Sequence, residues 1–174
     1  LFNEQFANNM NNSINSFFMN KKYINFYNNL IKLTTNKSLY IGLVDKQDSF
    51  SDRLPLFLFH FAFILKEFKS KENDKLLQEL YDYNFRQLEL SIREIGYGDQ
   101  SINKKMKDYI NVFHGIISDI HFWDKMNLNK KRDCLSKFLQ NFKDIDYLID
   151  YFDEFINNLK KNNLKSYLKS VNSN

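Results

Sequence analysis

Glycine and proline are scarce in this sequence, four and one in 174 residues, roughly a quarter of their ordinary combined usage. That excludes collagen-like repeats, flexible Gly/Ser linkers and many-turned all-β architectures, which need these residues at their corners. Cysteine occurs once, as Cys134, so no internal disulfide forms and no zinc or iron–sulfur site can be built from several thiolates. No long hydrophobic run is present either. The longest, Leu54 to Leu65, is twelve residues with Pro55 and His60 inside it, well short of the roughly 20 that cross a bilayer. Leu1 to Met19 is Asn-rich, without the basic segment followed by an apolar one that marks a signal peptide. The expectation is a soluble or membrane-peripheral chain.

What is present is aromatic and periodic. Hydrophobic residues make up 43% and aromatics 17% of the chain, enough to build a core. Phe2, Phe6, Met10, Ile14, Phe17 and Phe18 are weakly spaced for a helix over 1–20. Tyr23, Ile24, Tyr27, Leu30 and Ile31 keep the three-and-four spacing of an amphipathic helix up to Thr34. Residues 39–50 read as a loop with one short turn. A helix follows from Ser51 or Asp52 to Lys69, with Pro55 in or near its first turn. The clearest stripe is Leu77, Tyr81, Phe85, Leu88, Ile92 and Ile95, giving a helix over 74–95 that Gly96 ends in a left-handed conformation. Asp99 or Ser101 caps a helix reaching Ile120, and further helices span about 129–142 and 145–160. Asn162–Asn163 interrupts the pattern before a basic tail. No strand alternation and no repeat emerge. The fold class is all-α, a single-domain bundle of about six or seven helices over 1–174.

The charge, net +4, is unevenly spread. Residues 1–40 carry Lys21, Lys22, Lys32 and Lys37 against Glu4 alone, and 160–169 carry four lysines and no acid, while Asp144, Asp146, Asp150, Asp153 and Glu154 form an acidic stretch between them. Basic ends attract an anionic membrane surface or RNA. Alternatively they reflect only an Asn/Lys/Ile/Phe/Tyr-rich vocabulary, with lysines solvating a face.

The helix beginning near Ser51 is apolar on two sides. Leu54, Phe57, Leu58, Phe61, Ile64, Leu65 and Phe68 make one face; Leu56, Phe59 and Phe63 point nearly the opposite way. Such a helix is covered on both sides, or its second face is an exposed groove for another protein's apolar segment. His60, His114 and His121 form no His-x-x-x-His pair. Asp82, Arg86, Glu89 and Arg93 form a polar ladder. Gly96-Tyr97-Gly98-Asp99 lacks the flanking residues of a phosphate loop and reads as a tight helix–helix connection. Cys134 has basic neighbours, Lys131 and Arg132, that would lower its pKa, but no partner histidine nearby. Nothing assembles a catalytic set, and no cofactor or metal is called for.

The segment Ser91-Ile92-Arg93-Glu94-Ile95-Gly96-Tyr97-Gly98-Asp99 resembles the Leu-Arg-Glu-Met-Gly-Val-Gly-Asp-like signature of the ubiquinol–cytochrome c chaperone family. Lys104-Lys105-Met106-Lys107 and Phe113-His114-Gly115 are similar to that family's basic stretch and Phe-Tyr-Gly. Leu39-Tyr40 and Asp48-Ser49-Phe50-Ser51-Asp52-Arg53 resemble its Phe-Tyr and Asp-Thr-Phe-Asp-Gly-Arg patterns, and Leu58 and His60 its apolar-His helix. Ser51-Asp52 stands in place of Asp-Gly, and Phe113-His114-Gly115-Ile116 lacks the final Arg. The likeness spans 32–123, leaving 127–174 as C-terminal helices and basic tail.

The resemblance implies a non-enzymatic assembly factor for respiratory complex III that binds newly made, unassembled cytochrome b. With it come a small partner subunit or the ribosome as further partners, and no specific DNA. The implied location is the cytoplasmic side of a bacterial inner membrane, peripherally bound, or the matrix side of the mitochondrial one. Leu56, Phe59 and Phe63, with Tyr40, would contact the client. Arg53, Arg93 and Asp99 would fix helix ends and the turn at Gly96 and Gly98, or meet polar client loops. Two other classes compete: a basic helical RNA- or partner-binding protein using the Lys-rich ends with interleaved Tyr and Phe, and a haem-binding helical protein using His60 or His114.

Overall fold

A computed structural model describes residues 20–43 and 49–173, which contain seven α-helices, two short 3-10 turns and no strand. The helix expected over 1–20 lies outside the described residues. The helices are α1 (20–34), α2 (Phe50–Phe68), α3 (Asp74–Glu94), α4 (Asp99–Ile120), α5 (Leu128–Phe138), α6 (Ile145–Lys160) and α7 (Leu164–Asn172). The all-α single-domain bundle read from the sequence is the observed architecture.

α2 lies at the centre, and its position follows from its composition. Twelve of its residues are buried, on both sides of the helix. One side meets α1, α3 and α4: Phe61 stacks on Phe113 with ring centroids 5.2 Å apart and also meets Phe26 and Phe85. The other side meets α6, α5 and the turn between α4 and α5: Phe59 touches Phe138 and Phe152, and Phe63 touches Phe152 and Trp123 at 5.1 Å. α2 begins at Phe50, earlier than its composition suggests, because Ser49 is the cap. The Ser49 backbone N–H and hydroxyl both donate to Asp52 Oδ2, at 3.1 and 2.8 Å, the reach-back half of a capping box. Pro55 therefore sits in the second turn, where the missing N–H leaves only the carbonyl of exposed Ser51 without its helical donor. Burial pushes the Asp52 carboxyl up, but hydrogen bonds from Asn141 and Ser49 outweigh it and hold the group below its usual value.

Three further differences from the sequence reading have local causes. The helix expected to reach residue 142 ends at Phe138, because Leu139 leaves helical geometry and Phe142 pairs across to Leu43 in an isolated bridge. The basic tail is a helix, α7: Asn163 caps it by accepting from Ser166 N–H at 2.8 Å. α4 is capped by Gly98 and not by Asp99 or Ser101. α7 returns along α1, with Asn29 donating to the Tyr167 hydroxyl at 2.9 Å and Asn25 to Asn172 at 3.0 Å.

Candidate functional site

The residues singled out from the sequence do not gather into one site. Leu56, Phe59 and Phe63 are each 0% exposed. They form no exposed groove: α5, α6 and Trp123 cover that face, so the helix is enclosed on both sides. Tyr40 is half-buried, its ring 6.2 Å from Phe142 and its hydroxyl donating to the Thr34 carbonyl. Arg53 lines a pocket of about 220 Å³ between α1, α2 and α3, together with Tyr27, Ile31 and Phe50.

Arg93 and Asp99 do meet, at the α3–α4 turn. Arg93 Nη1 donates to Asp99 Oδ1 at 2.6 Å, while Nη2 and Nε reach Glu89 at 2.8 and 3.1 Å. The guanidinium bridges the end of one helix and the start of the next. Gly96 carries φ +99°, a conformation that side chains with a Cβ avoid; Gly98, at φ −70°, needs no such freedom. Tyr97 is exposed under the Lys105 ammonium, 4.4 Å from the ring centroid.

His60 and Cys134 read as structural, while His114 and His121 are exposed. His60 is buried, with Nδ1 2.7 Å from the Leu56 carbonyl and Nε2 2.7 Å from the Tyr151 hydroxyl. A carbonyl only accepts, so Nδ1 carries the proton and Nε2 accepts from Tyr151. Both ring nitrogens are occupied, which leaves none for haem iron. Burial drives the His60 pKa down to about 4, so the ring is neutral. His114 stands 3.2 Å from the Tyr81 hydroxyl. Cys134 is buried, and burial followed by the nearby Asp119 charge pushes its thiol up to about 11, opposite to the lowering expected from Lys131 and Arg132. Among the described residues no three His, Cys, Asp or Glu side chains come together to hold a metal ion.

A larger concavity than the one beside Arg53 lies elsewhere, where the end of α2, the start of α3 and the end of α4 diverge. It measures about 730 Å³ and is lined by Leu65, Lys66, Lys69, Asp74, Leu77, Gln78, Tyr81, Ile117 and His121. Its floor is apolar (Leu65, Leu77, Tyr81, Ile117) and its rim polar. Beside it Phe122 is 58% exposed against the His121 ring. The rim is braced: Lys66 pairs with Glu67 and Asp124 at 2.8 Å, and Asp124 also holds Lys160 at 2.7 Å. Those two lysines hold the Asp124 carboxyl down to about 2. An apolar floor with a polar rim suits a partner's amphipathic helix or apolar side chains.

Sequence reasoning missed this concavity, because its floor residues carry the same apolar spacing as residues that are covered. Only the Lys/Glu/Asn turn between α2 and α3 hints that the helices splay there.

Among the described residues no helix is long and apolar enough to cross a membrane. The resemblance read from the Arg93–Asp99 segment has an independent counterpart: the family model described as ubiquinol-cytochrome C chaperone matches residues 44–141, more than half of the chain. No curated protein and no solved structure matches it. The matched span runs from residue 44 through α5, so it includes the central helix, the α3–α4 turn and every residue lining the concavity. The chain belongs to the ubiquinol-cytochrome C chaperone family.

Proposed function

We infer that the protein is a non-enzymatic chaperone that holds unassembled cytochrome b during assembly of respiratory complex III, with the concavity between α2, α3 and α4 as the client site. The observation that carries this reading is a coincidence of family and geometry: all nine lining residues fall within 44–141, the span shared with the chaperone family. A membrane subunit waiting for assembly exposes apolar helix surface, and the floor of Leu65, Leu77, Tyr81 and Ile117 offers a matching surface inside a polar rim. Leu56, Phe59 and Phe63 then act indirectly, by fixing α2. Arg93 and Asp99 act by holding the turn that joins two of the walls. Tyr40 and Arg53 lie outside this concavity. The place of work is the cytoplasmic face of a bacterial inner membrane, or the matrix face of the mitochondrial one.

The test is deletion of the gene in its own host together with site-specific photo-crosslinking. Complex III activity and cytochrome b should both fall while the cytochrome b transcript stays intact. A crosslinker at exposed Gln78 should capture cytochrome b, and one at exposed Asn111 should not. Normal cytochrome b after deletion, or capture at Asn111 alone, overturns the assignment.

A further inference from the structure

The two basic ends of the sequence are brought together by the fold. α7 lies along α1 through the Asn29–Tyr167 and Asn25–Asn172 hydrogen bonds and the packing of Phe26 on Tyr167. Neither helix contains an acidic residue. Lys21, Lys32, Lys165 and Lys169 are exposed, and none takes part in an ion pair among the described residues. The carboxylate that reaches α1 from α3, Glu79, accepts from the Tyr23 hydroxyl, and Asp124 holds Lys160 at the foot of α7. Among the described residues the lysines farther out have no carboxylate partner. Among them α1 exposes two aliphatic side chains, Ile24 at 45% and Ile31 at 38%.

We propose that the paired α1–α7 face docks the protein on the surface of a bilayer containing anionic phospholipids. Lysine ammonium groups attract the headgroup layer, and Ile24 and Ile31 enter its boundary, the division of labour of an interfacial amphipathic helix. The exposed apolar groups decide against RNA. Binding of single strands relies on aromatic platforms for base stacking. Here the rings of both helices turn inward: Tyr23 and Phe26 are buried, and Tyr27 and Tyr167 pack on Phe57, Phe26 and Phe68. The inference stands on charge and exposure alone, independent of the client held in the concavity.

The test is flotation of the full chain with phosphatidylcholine vesicles, with and without phosphatidylglycerol, across a salt series. Binding should require the anionic lipid and weaken with salt. A lysine near such a surface contributes roughly five-fold in partitioning. The variant Lys21→Gln/Lys32→Gln/Lys165→Gln/Lys169→Gln should therefore lose about 100-fold or more. A charge-matched control, Lys71→Gln/Lys107→Gln/Lys130→Gln/Lys143→Gln, removes four exposed lysines from other elements and should lose far less. Ile24→Ser/Ile31→Ser should weaken binding several-fold at every salt concentration. Equal binding to neutral and anionic vesicles, or an equal loss in the control, overturns the proposal. So does tighter, lysine-dependent binding of a single-stranded RNA oligonucleotide.

Discussion

The two flanks of α2 begin from nearly the same composition and end in different states. Toward α5 and α6, Phe59 and Phe63 meet Phe138, Phe152 and Trp123, and the one polar group among them, His60, has a partner at each nitrogen. That flank is closed. Toward α3 and α4 the packing is as dense around Phe61, Phe85 and Phe113, but one turn past Phe61 the helices part and leave a space of about 730 Å³ over Leu65, Leu77 and Ile117. Apolar residues in a helix show that something must cover them. Whether the cover is the chain itself or another molecule depends on how neighbouring helices diverge.

The comparison is broken most forcefully by emptying the closed flank. Phe63→Ala removes a fully buried ring that touches Phe59, Phe152 and Trp123, and should lower unfolding free energy by about 3–5 kcal/mol. Urea denaturation followed by circular dichroism measures it. A loss below about 1 kcal/mol would mean that this flank is not the core it is taken for.

His60 gives the same flank a pH dependence. Its pKa is about 4 in the folded protein against 6.5 for an ordinary histidine, so below pH 6.5 the unfolded chain takes up a proton that the folded one excludes. Stability from this group is complete above pH 6.5 and falls as pH drops toward 4, by about 3 kcal/mol in all. In His60→Gln that slope should vanish between pH 6.5 and 4, although the variant is less stable throughout. Asp124, held down to about 2, contributes its own loss at lower pH. An unchanged slope in the variant would assign the titration to another group.

Filling the open flank should do the reverse of emptying the closed one. Gln78→Trp places a large ring from an exposed position on the wall of the concavity. Stability should shift by no more than about 0.5 kcal/mol, as for other surface changes, while capture of the client falls about ten-fold, equivalent to about 1.4 kcal/mol. Thermal unfolding, and crosslinking yield from a probe at exposed Lys69 on the same rim, separate the two effects. A destabilised variant with intact capture would reverse the roles assigned to the flanks.

Legibility follows the range of the forces involved. The α3 stripe from Leu77 to Ile92 and the left-handed turn at Gly96 are set by residues within a few positions of one another, and both stand in the sequence; Ile95, expected on the stripe, lies past the helix end and is exposed. So does α6, whose cap Asp144 accepts from Tyr147 N–H at 3.0 Å. α7 was readable in principle, since Asn163 is a good cap; taken as an interruption, it hid the helix. The end of α5 was not readable, because Phe142 keeps helical spacing and leaves it only to pair with Leu43, about a hundred positions away. The covering of Leu56, Phe59 and Phe63 stood as one of two alternatives, and only the placement of α5 and α6 selects it. The family likeness was legible in Arg93 to Asp99, where one ion pair and one φ constrain the residues tightly. The concavity left little mark beyond the Lys/Glu/Asn turn between α2 and α3, since its floor differs from the core only in lacking a lid.

The smallest effect concerns the hinge of the open flank. The start of α3 and the end of α4 form two walls of the concavity, and the two helices are joined at their opposite ends, several turns away, by Gly96, Tyr97 and Gly98. At Gly96, with φ +99° and open space where a Cβ would point, alanine meets no clash yet is disfavoured by the backbone itself, so Gly96→Ala should cost about 1 kcal/mol. At Gly98, with φ −70° and equally open space, alanine fits the existing backbone and reduces the freedom of the unfolded chain. Alanine is the poorer helix N-cap, however, which offsets that gain, so Gly98→Ala should be neutral to within about 0.5 kcal/mol. The two variants add the same methyl group two positions apart, so their difference isolates the backbone angle from side-chain contacts. If Gly96→Ala also weakens client capture while Gly98→Ala leaves it intact, the turn sets the separation of the walls and the open flank is a designed opening. Equal capture by both would make the gap a consequence of how the ends of α2, α3 and α4 diverge, independent of the turn.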